Sequence, residues 1–267
     1  AIPAMLFAAG HTKNDIPALL NKYSKSTGLS IDYGRELGIN SLMIGAAGAR
    51  VKEALEKKSS LELSKTLLVV VGRGSSDPDA NSNVTKITRM LVEGLGLGWG
   101  ETVFSGVTFP LVEPGLRHLV RLGYKRIVVF PYFLFSGVLV DRIREQTAKV
   151  AFDFPNIEFI NAEYLSSHPL VIETFNERIE EVLNGKNWMN CSLCKYRSNL
   201  LGFEEEVGSA QISHHHHVEG VNANCPICGR GNLCDCNIDA DQFPHEHLHH
   251  PVYPNSEHPL GPVTLQS

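Results

Sequence analysis

The sequence predicts an α/β fold made of two similar, doubly wound parallel-sheet lobes, with the first lobe incomplete and a flexible Cys- and His-rich tail at the end. Strand-like and helix-like segments alternate with short loops, as in parallel sheets covered by helices on both faces. The run "KTLLVVV" (Lys65–Val71) is nearly all apolar, which is typical of a strand buried on both faces. The segments "LFAAGHTKND" from Leu6 and "LFSGVLVD" from Leu134 resemble each other, which indicates an internal duplication.

The first predicted elements are a strand and two helices. The apolar segment "AIPAMLF" at the start of the chain is strand-like. Asn14 or Asp15 is placed to cap a helix that begins near Ile16-Pro17, because proline is tolerated in a first helical turn. Spaced apolar positions and a lysine-rich end predict a second helix from about Ile39 to Lys57.

The later elements alternate regularly. After the buried strand, the Gly- and Asp-rich turn "GRGSSDPDAN" leads into a helix that ends near Leu95. Further strands are predicted in "ETVFSGVTF", "KRIVVFPYFLF" and "IEFINAEYL", and further helices in "VEPGLRHLVRLG", "VLVDRIREQTAKVA" and "HPLVIETFNERIEEVLNG". Ligands in such folds bind beyond the carboxyl ends of the strands, so the loops there are the candidate site.

Composition divides the chain into three regions. Residues 1–62 are expected to form the second half of an N-terminal lobe, residues 63–186 a nearly complete C-terminal lobe, and residues 187–267 a metal-binding tail. All six cysteines lie after residue 190, and nine of the twelve histidines lie after residue 213. The chain begins with Ala1, without Met, in a predicted strand, so the first strand and loop of the N-terminal lobe are expected to precede it.

Net charge and the distribution of apolar residues also exclude some classes of partner. The net charge of −5 argues against nucleic acid as the main partner. The sequence holds no run of about eighteen apolar residues that would span a membrane, and no secretory signal. We therefore expect a cytoplasmic protein with no membrane partner.

His11 is the first candidate site residue. It follows three small residues at a predicted strand end, where a neutral imidazole can bind a divalent metal ion or accept a proton. The alternative is a loop histidine bonded to a nearby backbone carbonyl.

The loop "GRGSSDPDAN" is the second candidate. Glycines flank Arg73 at a strand end, and Ser75 and Ser76 add hydroxyl groups, so the loop can hold an anion. It is neither a Walker motif nor a dinucleotide fingerprint. A tight turn followed by a helix cap explains the same residues.

The Ser136–Val138 turn is a third candidate, because it lies at another predicted strand end.

The tail supplies candidate metal ligands. Cys191 and Cys194 form a C-x-x-C pair, which suits a metal ion or one edge of an iron–sulfur cluster, with a redox dithiol as the alternative. Two further close pairs fit metal ligation better than disulfides, and spacing does not separate zinc from iron–sulfur: Cys225, Cys228, Cys234 and Cys236. Two histidine-rich runs are typical of a metal buffer, with a purification tag as the alternative for the first: His214, His215, His216 and His217, then His245, His247, His249 and His250.

The motifs together resemble the CbiX family of long sirohydrochlorin cobaltochelatases, which are class II chelatases of anaerobic cobalamin synthesis. The resemblance rests on "PAMLFAAGHTKNDIP", "VVVGRGSSDPDAN", "FPYFLFSGVLVDRI", "MNCSLCKYR" and the His-rich tail that ends "HPLGP".

The resemblance implies two α/β lobes with a cleft that holds sirohydrochlorin, a planar tetrapyrrole. It implies that His11 is one of two histidines that bind the metal and remove protons. The other belongs to a Gly-His-Gly-Ser loop expected ahead of residue 1, and Gly72–Ser75 is the matching loop of the second lobe, with arginine in the place of histidine. The resemblance also links Cys191 and Cys194 to an iron–sulfur cluster. Which other thiols complete it stays open between the four later cysteines of the tail and the pair of a second subunit in a homodimer.

The predicted function is insertion of Co²⁺, the substrate metal, into sirohydrochlorin without ATP, a lyase-type reaction. Arg73 is expected to bind carboxylates of the substrate. The alternatives are ferrochelation of the same substrate for siroheme, and metal storage or delivery by the His-rich tail.

Overall fold

The computed structural model describes residues 1–56 and 61–186, together with the isolated residues 205 and 207. Four parallel strands form one sheet in the order β2-β1-β3-β4. They are β1 (Thr66–Gly72), β2 (Trp99–Phe104), β3 (Arg126–Pro131) and β4 (Glu158–Asn161). All residues of the two central strands, β1 and β3, are buried. The predicted α/β fold with a parallel sheet is confirmed.

Six α-helices accompany the sheet in the described part of the chain. They are α1 (Ile16–Thr27), α2 (Ser41–Glu56), α3 (Pro78–Leu95), α4 (Val112–Leu119), α5 (Val138–Asp153) and α6 (Pro169–Leu183). A π-helical turn over His11–Asp15 precedes α1, and short 3₁₀ turns over Leu63–Lys65 and Val120–Leu122 flank the sheet. No described helix is long and apolar enough to cross a bilayer.

The helices cover both faces of the sheet. Alternate residues of β1 point to opposite faces, because side chains alternate along a strand. Leu68 and Val70 share a core with α2, α3 and the start of α6. Leu67, Val69 and Val71 share the other core with α4 and α5. The segment before β1 thus contributes α2 to the same core as the sheet.

The predicted first strand, "AIPAMLF", is wrong. Residues 1–9 are assigned to no strand, although some of their backbone groups bond to the segment around residues 32–38. The Gly34 amide donates to the Ala1 carbonyl, whereas the Leu37 amide donates to the Met5 carbonyl, so the offset between partners changes by one residue. Pro3 lies at this change, where its carbonyl accepts from the Met5 amide in a turn. Because proline has no N–H and the register shifts, a continuous ladder cannot form.

The predicted start of α1 is confirmed, but the predicted cap is wrong. The helix begins at Ile16 with Pro17 in its first turn, and no side chain caps it. The π-helical turn before it already supplies helical backbone, and the Asp15 carboxylate is engaged with His11 instead. By contrast, the capping alternative for the "GRGSSDPDAN" loop is observed, since the Asp77 carboxylate accepts from the Asp79 amide at the start of α3.

The strands β2 and β3 end earlier than the sequence suggests. β2 ends at Phe104 and β3 at Pro131, so "SGVTF" and "YFLF" become loops at the carboxyl edge of the sheet. The predicted helices that begin near residues 39, 112, 138 and 168 are all present within a few residues of their predicted limits.

Buried charged side chains attach the N-terminal segment to α3 and α6. The Lys13 ammonium lies 2.6 Å from Asp77 Oδ2 and 3.3 Å from Asp79 Oδ2 at the start of α3, and all three side chains are almost fully buried. The buried Arg178 of α6 donates to the carbonyls of Glu36 and Leu37. Because isolated buried charges are costly, these contacts fix where the segment lies.

Replacing Lys13 with methionine should lower the free energy of unfolding by about 3–5 kcal/mol, because two buried carboxylates would lose their counter-charge. Urea denaturation followed by circular dichroism measures the change. The matched control is Lys65→Met, which breaks an exposed pair with Glu62 and should cost less than about 1 kcal/mol. Equal stability of the Lys13 variant and the unmodified protein would contradict this account of the attachment.

Candidate active site

A cavity of about 600 Å³ opens at the carboxyl edge of the sheet, between the N-terminal segment and the loops after β1 and β3. Its volume is within the usual range for small-molecule sites, roughly 300–1,000 Å³. The four residues that the sequence singles out near strand ends all line it: His11, Arg73, Ser75 and Ser136. The carboxyl ends of parallel strands meet at one edge, which is why the fold brings these loops together.

His11 lies at the start of the π-helical turn, after Gly10, and not at the end of a strand. The Ile16 amide donates to the His11 carbonyl across five residues, which closes the wide turn. Such turns are rare and occur mostly at functional sites. The same turn carries Lys13 into the protein interior and leaves the His11 side chain 48% exposed at the cavity.

The His11 ring is oriented by Asp15. Its Nδ1 atom lies 2.5 Å from Asp15 Oδ2. A carboxylate accepts a hydrogen bond and cannot donate one, so this contact places a proton on Nδ1, and the matching neutral tautomer keeps its lone pair on Nε2. This arrangement of carboxylate and imidazole is the one that commonly orients histidine ligands of metal ions.

Arg73 brings a positive charge to the cavity. None of the ion pairs among the described residues includes it, and its one recorded side-chain hydrogen bond is a long one of 3.5 Å to the Gly74 carbonyl. Its side chain reaches solvent at the cavity mouth, but the surrounding protein removes enough water to lower its pKa from the usual value. An arginine with no internal carboxylate can offer its donors to an anionic ligand.

Close backbone packing fixes the loop that carries Arg73. Gly74 has a φ of 88°, and a Cβ atom there would lie 1.8 Å from the Gly106 carbonyl oxygen. The Ser105 hydroxyl donates to the Arg73 carbonyl at 3.1 Å. Val107, in the same facing loop, has a φ of 66°, a strained conformation for a β-branched residue, and it lines the cavity.

The two predicted serines have different surroundings. The Ser75 hydroxyl accepts from the Asp77 amide, and the Ser75 backbone exchanges hydrogen bonds with the Asn81 side chain. Ser75 therefore stabilises the turn as well as lining the cavity. Ser136 lies directly before Gly137, which precedes the first turn of α5.

Sequence reasoning missed the aromatic wall of the cavity. The rings of Phe7 and Tyr132 stack with centroids 5.8 Å apart. Tyr132 is buried, its hydroxyl has no hydrogen-bond partner among the described residues, and burial raises its pKa well above the usual value of 10. Phe135 is 66% exposed within the same wall. The signal is the aromatic run "FPYFLF", whose apolar character predicts a strand along its whole length.

The described residues contain no group of three or more His, Cys, Asp and Glu side chains that could hold a metal ion. His11 and Asp15 form a pair, not a closed metal site. The six cysteines and the two histidine-rich runs of the tail lie outside the described residues.

Comparisons with known proteins agree on one family. The CbiX family model matches residues 1–54 and 67–182. Sirohydrochlorin cobaltochelatase from Priestia megaterium is 40% identical over 201 residues, which cover 75% of this chain and 65% of that protein. Sirohydrochlorin ferrochelatase from the same organism is 27% identical over 186 residues, which cover 69% of this chain and 68% of that protein.

A solved structure supports the same relationship. SirB from Bacillus subtilis with Fe³⁺ matches with a TM-score of 0.59 at 27% identity, covering 69% of this chain and 71% of that one.

Replacing Asp15 with alanine should remove the preference of the neutral His11 ring for a proton on Nδ1, because that proton loses its acceptor. The ¹⁵N chemical shifts of the ring at alkaline pH report the tautomer, and a His11→Asn variant assigns the signal. Asp141→Ala is the matched control, since Asp141 is an acidic residue in the first turn of α5 and does not line the cavity. Identical His11 shifts in the Asp15 variant and the unmodified protein would show that the contact does not orient the ring.

Proposed function

The chain belongs to the CbiX family, and from this membership we propose that it is a chelatase that inserts Co²⁺ into sirohydrochlorin. The observation that carries the proposal is one cavity lined both by an oriented imidazole, His11, and by Arg73, which forms no ion pair among the described residues. The chain spans 65% of the length of its cobaltochelatase relative, so the proposed activity concerns the part of such an enzyme that this chain contains.

The chemistry of insertion suits His11. A divalent metal must lose water ligands and replace the two protons of the pyrrole nitrogens. A neutral imidazole can coordinate the metal or accept a proton at Nε2, and Asp15 stabilises the imidazolium that a proton transfer would create. Of the residues that line the described cavity, His11 is the only imidazole.

The chemistry of the substrate suits Arg73. Sirohydrochlorin carries carboxylate groups around the edge of its ring, and a guanidinium group forms paired hydrogen bonds with a carboxylate. Arg73 is exposed and lines the cavity, so a carboxylate of a bound ligand can reach it. The "GRGSSDPDAN" loop lacks the Gly-Lys-Ser/Thr ending of a nucleotide site, in keeping with insertion that needs no ATP.

Cobalt is the metal that the comparisons favour. The cobaltochelatase relative is 40% identical to this chain, whereas the ferrochelatase from the same organism is 27% identical. Iron insertion for siroheme is the competing activity, and the metal preference is measured directly in the assay below.

Narrower proposals concern the tail and rest on sequence spacing. We propose that Cys191 and Cys194 form one edge of an iron–sulfur cluster, completed by other tail cysteines or by a second subunit in a homodimer. The histidine-rich runs are proposed to hold cobalt before insertion.

The direct test is anaerobic insertion of Co²⁺, Fe²⁺ and Ni²⁺ into sirohydrochlorin, followed by the change in its absorption spectrum. Co²⁺ should be inserted fastest, and His11→Ala should lower kcat by roughly 10²–10⁴-fold, the usual contribution of a positioned acid–base group. His118→Ala is the matched control, because His118 is exposed on α4 and does not line the cavity. Turnover of the His11 variant close to that of the unmodified protein would refute the role of this imidazole.

Arg73→Ala should raise KM for sirohydrochlorin by about ten- to a hundredfold, the effect of losing one charge-assisted hydrogen-bonded pair. Arg73→Lys should recover only part of the affinity, because lysine lacks the planar fork. Arg121→Ala is the control, since Arg121 is exposed and lies away from the cavity. The carboxylate role fails if Arg73→Ala and Arg121→Ala have the same KM.

A further inference from the structure

Phe135 and Val138 form an exposed apolar surface inside the cavity. Phe135 is 66% exposed and Val138 is 57% exposed, and both line the cavity. The neighbours of Phe135 in the chain turn inward, since Leu134 is in one hydrophobic core and Phe133 packs against the other. This backbone path packs Leu134 and Phe133 against the two cores and leaves the Phe135 ring exposed.

The internal duplication expected from the sequence gives each of these residues a counterpart. Phe135 corresponds to Phe7 in the shared Leu-Phe pair, and the turn Ser136–Val138 corresponds to Ala9–His11 once one residue between pair and turn is omitted, which pairs Val138 with His11. Phe7 stacks on Tyr132, whereas Phe135 stacks on no aromatic ring among the described residues. The first repeat therefore presents the imidazole of His11 to the cavity. The second presents the aliphatic side chain of Val138 beside the exposed ring of Phe135.

The remainder of the cavity favours a flat ligand with charge at its edge. Arg73 supplies a cation, and Leu6, Phe7 and Tyr132 add apolar surface. A tetrapyrrole has two broad π faces and carries its carboxylates around the rim. Aromatic side chains bind such faces by stacking, and the gain comes with the area removed from water.

We propose that Phe135, supported by Val138, is the platform on which one face of the tetrapyrrole stacks. This inference rests on the proposed function and names the binding surface of the same site. The platform covers one face of the ring and leaves the other open to the metal. It binds the ring equally before and during insertion, so it contributes to affinity and not to the chemical step.

The test is equilibrium binding of metal-free sirohydrochlorin to the full chain, measured by the change in the ligand's fluorescence. Phe135→Ala should weaken binding about tenfold or more, Phe135→Leu should weaken it less, and Phe135→Trp should bind within about twofold of the unmodified protein. Phe152→Ala is the matched control, since Phe152 is 84% exposed near the end of α5 and does not line the cavity. Phe152→Ala should leave the affinity unchanged.

Insertion kinetics separate a binding platform from a general disturbance of the site. In Phe135→Ala, KM should rise by the same factor as the dissociation constant, while kcat stays within about threefold of the original value. The urea midpoint should not fall, because the ring is exposed and adds little to the core.

Two different failures are distinguishable. If the unmodified chain binds sirohydrochlorin and Phe135→Ala binds it equally well, or if Phe152→Ala weakens binding by as much, the platform is refuted and the proposed function stands. If the unmodified chain neither binds sirohydrochlorin nor inserts a metal, the proposed function fails and the platform fails with it.

Discussion

The buried ion pair between Lys13 and the first turn of α3 is the constraint on which the candidate site depends. Lys13 lies two residues after His11, and Asp77 lies four residues after Arg73. One set of charges therefore fixes both the turn that carries the imidazole and the loop that carries the guanidinium. Moving the lysine away would leave two buried carboxylates without a counter-charge, which is among the costliest changes a protein interior can undergo. The N-terminal segment stays in place although it contributes no strand to the sheet.

The two similar segments that begin at Leu6 and Leu134 both reach the cavity, but with different side chains. The first supplies His11 and its orienting carboxylate, Asp15. The other supplies the uncovered ring of Phe135 and the aliphatic Val138. The loop after β1 adds the guanidinium group of Arg73. The imidazole, the exposed aromatic ring and the guanidinium group thus lie on different loops around one cavity at the sheet edge.

Much of this arrangement could be predicted from the sequence because parallel α/β folds impose it. The continuous apolar run of β1 identifies a buried strand, and the strand-end rule then places Arg73 and Ser136 on one edge. The same reasoning gives the wrong result for the apolar segment at the start of the chain. An apolar stretch forms a strand only if it stays in register with a partner strand, and here the offset between hydrogen-bonded partners changes at Pro3. Asp15 was interpreted as a cap because local spacing cannot reveal a π-helical turn. The exposure of Phe135 depends on where β3 ends, which composition does not determine.

The most direct measurement is a crystal structure of the full chain grown with sirohydrochlorin and Co²⁺, with the cobalt located from its anomalous scattering. We expect the macrocycle to occupy the cavity at the carboxyl edge of the sheet, with a carboxylate on Arg73 and cobalt at about 2.0–2.1 Å from His11 Nε2, by analogy with zinc–imidazole bonds. A macrocycle bound elsewhere on the chain, or cobalt held only by the tail while His11 faces solvent, would contradict it.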